Sequence, residues 1–278
     1  MTRLEVSPGF FLNVELAGDG PPIVLLHGFT GSAKGWGNFR TRLERDFTTV
    51  AIDIVGHGKS DSPEEIQHYQ MPRVAADVVE ATRLAGFRRA TWLGYSMGGR
   101  TALHVAAAHP EAVERLIVIG GSPGLPSRAE REARVAADNE LAVRIERFGI
   151  APFVDYWESL ALFATQRRLP EAIQRAIREG RLACNPVGLA NSLRGMGTGA
   201  QPPLFDRLAA MAFPAMLLAG AEDAKFSGIA AEMSASIRDS RVEIVPEAGH
   251  AAHLEQPEIC ARLVRAFIQH HSTEGVAT

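Results

Sequence analysis

Three residue types that together can activate a hydroxyl occur in the order Ser96, Asp223, His250, each just beyond a short apolar run. A serine hydroxyl is a poor nucleophile and a poor proton acceptor at neutral pH. It needs an imidazole within hydrogen-bond reach, and the imidazole needs a carboxylate to orient it. Ser96 lies in Gly94-Tyr95-Ser96-Met97-Gly98-Gly99, between the run Ala90-Thr91-Trp92-Leu93 and a helix-like stretch over 100–108. Glycines two residues to either side let neighbouring chain approach where a Cβ would collide, which pushes the hydroxyl out above a sheet edge. Gly-x-Ser-x-Gly alone is a weak signal, and its placement between strand and helix carries the weight. Asp223 closes Ala219-Gly220-Ala221-Glu222-Asp223 and His250 closes Pro246-Glu247-Ala248-Gly249-His250, so both are expected on loops at the same sheet edge. Glu222 is the rival carboxylate, and a turn or helix cap is the other use for Asp223. His253 competes for the base but falls inside the next helix-like turn, where it reads as a packing neighbour, while a solvated loop is the competing place for His250.

A second element, Leu26-His27-Gly28-Phe29-Thr30-Gly31, follows an apolar run and is expected to offer the Phe29 amide as one half of an oxyanion hole. The Met97 amide supplies the other half, and two such donors stabilise a developing oxyanion by about 3 to 4 kcal/mol each. His27 reads as a structural histidine beneath that loop. The Gly-rich turn Asp53-Ile54-Val55-Gly56-His57-Gly58-Lys59-Ser60 lacks the Walker spacing and reads as a tight connection without a phosphate role.

The elements that must hold these groups alternate along the chain. Ile23-Val24-Leu25-Leu26, Thr49-Val50-Ala51-Ile52, Ala90-Thr91-Trp92-Leu93 and Leu116-Ile117-Val118-Ile119 are near-continuous apolar runs, the pattern of parallel strands buried on both faces. Leu4-Glu5-Val6 and the run 11–16, split by Ser7-Pro8-Gly9, form an antiparallel edge hairpin. A helix over 71–85 has Pro72 near its start and Gly86 after its end. From Gly120 to about Pro214 no strand-like run occurs, and 128–148, 153–163 and 170–182 read as helices. Strands resume at 215–219 and 242–245, and a last helix covers 257–270. The expectation is an α/β fold with a mostly parallel eight-stranded sheet flanked by helices. Its core is 1–121 and 214–271, with a helical lid over 122–213 and a frayed tail over 272–278.

The chain has 278 residues, 46% of them hydrophobic, enough for one sizeable core. A formal net charge of −3 gives no basic face for nucleic acid, so an anionic ligand must be met by a few local arginines. Cys184 and Cys260 stand far apart with no partner spacing for zinc or for a disulfide framework, so no metal or cofactor is expected. No run approaches a membrane span and the first residues lack a basic-then-apolar leader, which points to a cytoplasmic protein. The sequence carries no signal for oligomeric state.

Across nearly its whole length the chain resembles the α/β-hydrolase superfamily, in which the triad follows the same order of Ser, Asp and His. Within it the chain resembles the 2-succinyl-6-hydroxy-2,4-cyclohexadiene-1-carboxylate synthases of menaquinone biosynthesis. The resemblance rests on Gly94-Tyr95-Ser96-Met97-Gly98-Gly99-Arg100, on Phe153-Val154-Asp155-Tyr156-Trp157-Glu158, on the run 185–202 containing Gly197-Thr198-Gly199, and on the run 249–257. It implies a lyase that takes a proton from a cyclohexene carboxylate and expels pyruvate. Ser96, Asp223 and His250 would be the triad and Phe29 and Met97 the hole; whether Ser96 or His250 takes the proton stays open. It also implies that Tyr95, Arg100, Arg134, Trp157 and Arg181 contact the substrate, with Arg178 an alternative to Arg181. Such a small-molecule substrate bears three carboxylates, which guanidinium forks match in two-point contact. Arg100 stands one helical turn beyond Ser96 and so can reach the same cavity. Mixed charges around Arg134 would also fit a solvated helix face, Trp157 could be lid core, and Tyr95 a structural neighbour of the serine. A cofactor-free serine hydrolase of an ester, thioester or carbon–carbon bond is the second reading, and a ligand-binding relative with little turnover the third.

Overall fold

The computed structural model describes residues 2–273. Eight strands form one sheet: β1 (Thr2–Ser7), β2 (Phe10–Ala17), β3 (Pro22–Leu26), β4 (Thr48–Ile52), β5 (Ala90–Tyr95), β6 (Val113–Ile119), β7 (Ala215–Gly220) and β8 (Ser240–Val245), in the order β1-β2-β4-β3-β5-β6-β7-β8. β2 pairs antiparallel with β1 and β4, and every other pairing is parallel. The carboxyl ends of β3, β5, β7 and β8 therefore open onto one edge, where loops can converge.

Strand residues alternate between two cores because side chains point to opposite faces with period two. Val24, Leu26, Trp92 and Leu217 pack with one layer, and Ile23, Leu25, Leu93 and Leu218 with the other. The first layer is covered by α2 (Met71–Leu84), α3 (Met97–Ala108) and α8 (Ala224–Ser236), and the second by α1 (Gly37–Leu43) and α10 (Pro257–Thr273). Between β6 and β7 the chain runs through α4 (Arg128–Phe148), α5 (Ile150–Ser159), a 3-10 helix (Ala161–Arg168), α6 (Glu171–Leu182) and α7 (Pro186–Met196). These inserted helices have their own small core of Ala142, Ile145, Phe153, Val154, Leu189 and Leu193. A four-residue turn of helix, α9 (Ala252–Glu255), precedes α10.

The expected strands and the helix over 128–148 are found within a few residues, and three features differ. The helix expected over 153–163 starts at Ile150 and stops at Ser159, where the chain tightens into the 3-10 segment. The sequence reading did not identify α7, because Gly188 and Gly195 are poor helix formers. Both glycines allow close backbone packing: a Cβ on Gly188 would lie 2.2 Å from Gly56 O, and one on Gly195 2.6 Å from Tyr69. Asn185 starts α7 by accepting the Val187 and Gly188 N–H groups. The frayed tail was expected from 272, but α10 runs through Thr273; residues 274–278 lie outside the described residues.

The turn after β5 is the tightest place in the fold. A Cβ on Gly98 would sit 1.8 Å from Leu26 O, and one on Gly94 2.1 Å from Gly98 O. Gly98→Ala is expected to cost more than about 2 kcal/mol, read as a lower midpoint in thermal or urea unfolding. Besides His250, four histidines are buried among the described residues: His27, His57, His104 and His253. Burial lowers the pKa of each, to about 3 for His57 and His253 and to about 4 for His104, with a nearby charge or imidazole adding to the shift in these three. Such groups stabilise the fold above pH 6.5, and that contribution shrinks as pH falls because the unfolded chain binds protons that the folded chain refuses. The melting temperature is therefore expected to fall between pH 6.5 and 5, each group contributing at most about 2 kcal/mol over that window. A melting temperature flat across that window would contradict the assignment.

Candidate active site

Ser96 caps the start of α3 with φ 51° and ψ −109°, a left-handed backbone that a non-glycine residue adopts only when its surroundings enforce it. Its N–H is held by Ile119 O at 2.8 Å, and its carbonyl accepts from Arg100 N–H at 3.0 Å. The other non-glycine residues with positive φ among those described are Thr30, beside Phe29, and Glu247, three residues before His250. Backbone strain thus collects in the loops at the carboxyl edge of the sheet.

The Ser96 hydroxyl donates to His250 Nε2 at 3.0 Å, and His250 Nδ1 donates to Asp223 Oδ2 at 2.7 Å. Asp223 follows β7 and also caps α8 through Phe226 N–H, while His250 follows β8. Of the two carboxylates considered, Asp223 reaches the imidazole and Glu222 turns outward to Arg168 at 2.7 Å. The imidazole is 3% exposed and lies against Tyr95 and Phe226, with Gly120 so close that a Cβ there would approach the ring to 2.9 Å. Asp223 thereby fixes the tautomer whose Nε2 can accept the serine proton. His253 instead packs among Trp36, Phe39 and Tyr95, as a neighbour in the core.

The loops are tied to the insertion as well as to the sheet. Thr165 Oγ1 donates to Glu255 at 3.0 Å, and the other Glu255 oxygen accepts Gly249 N–H at 2.7 Å, directly before His250. On the opposite side, His27 Nε2 accepts Ile54 N–H, a structural use of that ring. The Asp53 carboxylate gathers the Ala33 and Lys59 amides and Asn13 Nδ2, and a Cβ on Gly58 would lie 2.2 Å from it. The Gly-rich turn is therefore a compact connector.

Above Ser96 is a cavity of about 310 Å³, lined on one side by Phe29, Tyr95, Ser96, Met97 and His250 and roofed by residues of the inserted helices. Met97 is the first residue of α3, so its N–H has no acceptor within the helix, and both Met97 and Phe29 line the cavity. Arg100, Arg134, Arg181 and Lys225 all line the cavity, and no aspartate or glutamate among the described residues does.

Each cation is held differently. Arg181 Nη1 donates to Glu158 at 3.1 Å and Nη2 to Gln166 at 3.0 Å, with its guanidinium over the Phe163 ring. Arg134 is paired with Asp138 at 2.8 Å along α4, so its helix face turns toward the site as well as toward solvent. Arg100 donates to Met196 O and Gln201 Oε1, both neutral acceptors. Burial, aided by the nearby Arg134, lowers its pKa to about 10, which leaves it charged at neutral pH. Arg178 pairs with Asp155 and Glu158 and is not among the residues that line the cavity, whereas Arg181 is. Trp157 lines the cavity with its Nε1 lacking a partner among the described residues, and it stacks edge to face on Phe29.

Sequence reasoning missed Lys225, which stands two residues beyond Asp223 in the first turn of α8 with Nζ over the Phe226 ring. The signal was present: a residue that close to the orienting carboxylate must lie near the cavity. No cluster of three or more histidine, cysteine or acidic residues among those described is arranged to hold a metal ion. No helix among them is long and apolar enough to cross a membrane.

A family model described as alpha/beta hydrolase fold matches residues 21–257. A Bacillus subtilis protein named putative 2-succinyl-6-hydroxy-2,4-cyclohexadiene-1-carboxylate synthase is 41% identical over 96% of this chain and 97% of its own length. The Serratia proteamaculans protein named 2-succinyl-6-hydroxy-2,4-cyclohexadiene-1-carboxylate synthase is 31% identical over 90% of this chain and 94% of its own. Among solved structures, MenH from S. aureus superimposes with a TM-score of 0.88 at 30% identity, covering 94% of this chain and 98% of that one. A thermophilic esterase from Thermogutta terrifontis, solved with malate bound, gives 0.85 at 27% identity, covering 97% and 98%. Fold similarity thus extends to an esterase at 27% identity, while identity with the synthases reaches 41%. The chain belongs to the α/β-hydrolase family and, within it, to the 2-succinyl-6-hydroxy-2,4-cyclohexadiene-1-carboxylate synthases.

Proposed function

We propose that this protein is a lyase that eliminates pyruvate from 2-succinyl-5-enolpyruvyl-6-hydroxy-3-cyclohexene-1-carboxylate, giving 2-succinyl-6-hydroxy-2,4-cyclohexadiene-1-carboxylate in menaquinone biosynthesis. The observation that carries the reading is a cavity above a Ser–His pair that holds four cations and no carboxylate of its own. A substrate with three carboxylates gives these cations further anionic partners in the cavity, which a neutral ester does not.

The reaction begins at the ring carbon that carries the succinyl group, whose hydrogen is acidified by the adjacent ketone. The Ser96–His250 pair takes that proton, and the ketone oxygen gathers charge as the enolate forms. Phe29 and Met97 amides receive it. The electron pair then closes a ring double bond, the existing alkene shifts by one bond, and the carbon–oxygen bond to the enolpyruvyl group breaks. The departing enol is protonated and tautomerises to pyruvate, so no water is added. Asp223 orients His250 and stabilises the imidazolium. Arg100, Arg134 and Arg181 grip carboxylates, Tyr95 and Trp157 bound the ring, and segment 122–213 acts as the lid that keeps water out.

Purified protein is expected to release pyruvate from the enolpyruvyl substrate without added metal or cofactor. Ser96→Ala and His250→Ala are each expected to lose at least about 10³-fold in kcat while keeping the melting profile. No pyruvate release, with brisk p-nitrophenyl ester turnover, would favour a serine hydrolase instead. Arg100→Ala is expected to raise KM by about tenfold or more, and Arg100→Lys to restore little, because a point charge does not reproduce a two-point contact. A wild-type KM in Arg100→Ala would remove the polycarboxylate assignment.

A further inference from the structure

The three arginines of the cavity are not equivalent. Arg134 and Arg181 each have an internal carboxylate, Asp138 and Glu158, whereas Arg100 is held by a backbone carbonyl and a side-chain amide. A guanidinium taken out of water with no carboxylate bonded to it is costly; burial and Arg134 lower the Arg100 pKa, and the nearby Asp138 offsets this only in part. We propose that Gln201 is a positioning residue that keeps the Arg100 charge available for a substrate carboxylate, by holding the guanidinium with a neutral acceptor where an acid would neutralise it. This rests on the reading of the site given above.

Gln201 is 2% exposed and belongs to the run that follows α7, in which Gly197-Thr198-Gly199 had no role legible in the sequence beyond a flexible turn closing the lid. The structure supplies one. A Cβ on Gly199 would lie 2.5 Å from Arg131 O, and one on Gly197 2.5 Å from Asp138 Oδ2, so the glycines seat this run directly on α4. The Ala200 and Gln201 N–H groups both donate to Gly197 O, which closes the turn and directs Gln201 to Arg100. Because a guanidinium only donates, the Gln201 oxygen must face it, and the amide nitrogen is left buried without a partner among the described residues. That nitrogen lies against Gly124, where a Cβ would approach to 3.2 Å. An amide with one end unsatisfied is a poor choice for stability alone, since an apolar side chain of similar size would avoid the penalty. A neutral acceptor for Arg100 is what such a side chain could not provide.

The test compares full-length wild type, Gln201→Glu and Gln201→Met by pyruvate release and by titration with citrate, a tricarboxylate probe, followed through quenching of tryptophan fluorescence. Trp157 and Trp36 both line the cavity and report occupancy. In Gln201→Glu, both KM and the citrate Kd are expected to rise by about tenfold or more with kcat within about threefold, because the new carboxylate competes for Arg100. In Gln201→Met, they are expected to rise by about threefold with no loss of melting temperature. Wild-type affinity in Gln201→Glu, equal losses in the two variants, or a wild type that does not bind citrate would each overturn the proposal. Should Gln201→Glu fail to fold, an unchanged KM and Kd in Gln201→Met would overturn it alone. If wild type releases no pyruvate, the lyase reading fails, while the citrate titration still decides the role of Gln201.

Discussion

At the carboxyl ends of β3 and β5 two backbones approach so closely that only glycine fits, with the carbonyl of Leu26 pressed onto Gly98. That approach sets the sharp turn into α3, and the turn holds Ser96 at positive φ with its hydroxyl outside the sheet. It also brings the Phe29 loop, which leaves β3, alongside the Met97 amide, which opens α3. The Phe29 loop, the Met97 amide and the Ser96 hydroxyl are thus placed by one contact between main chains. Side-chain packing follows from that contact: Tyr95 lies over Gly28, where a Cβ would come within 2.8 Å of its ring, and braces His250 from the other side.

Around this point the fold separates two kinds of charge. The Asp223 carboxylate is consumed by the imidazole, and the other acids near the site are turned away from the cavity onto partners in the scaffold. Asp138 and Glu158 orient arginines from behind, Glu222 binds Arg168, and Glu255 takes Thr165 and the Gly249 amide. The result is a chamber whose wall is positive although the chain as a whole carries a net charge of −3. Net charge describes solubility and long-range behaviour; the local arrangement of counter-ions decides what a pocket accepts.

The insertion does more than cover the cavity. Its 3-10 segment is bonded to the loops of both Asp223 and His250, through Arg168 to Glu222 and through Thr165 to Glu255. A displacement of these inserted residues would therefore be felt at the base as well as at the roof. The same segment brings Phe163 and Gln166 against Arg181, so one element holds both Arg181 and the loops of Asp223 and His250.

Much of this was written locally. Continuous apolar runs identify strands buried on both faces, and glycines around Ser96 mark the turn, because both depend on neighbouring residues and on period-two alternation. The meeting of Ser96, His250 and Asp223 was legible too, since each follows a strand and the parallel sheet sends those strand ends to one edge. Helix α7 was hidden because its glycines lower local helix propensity for the sake of contacts with Gly56 and Tyr69, far away in the chain. The sequence placed Asp223 ahead of Glu222 and Arg181 ahead of Arg178 but left each rival open, for a related reason: neighbours on one helix or loop differ only in direction. That direction is set by the residues packed against them. The amino-acid order alone determined the sheet, the strained serine and the kind of chemistry it can perform. Only the folded chain decided which charges line the cavity, because compensation of a charge depends on partners brought together from distant segments.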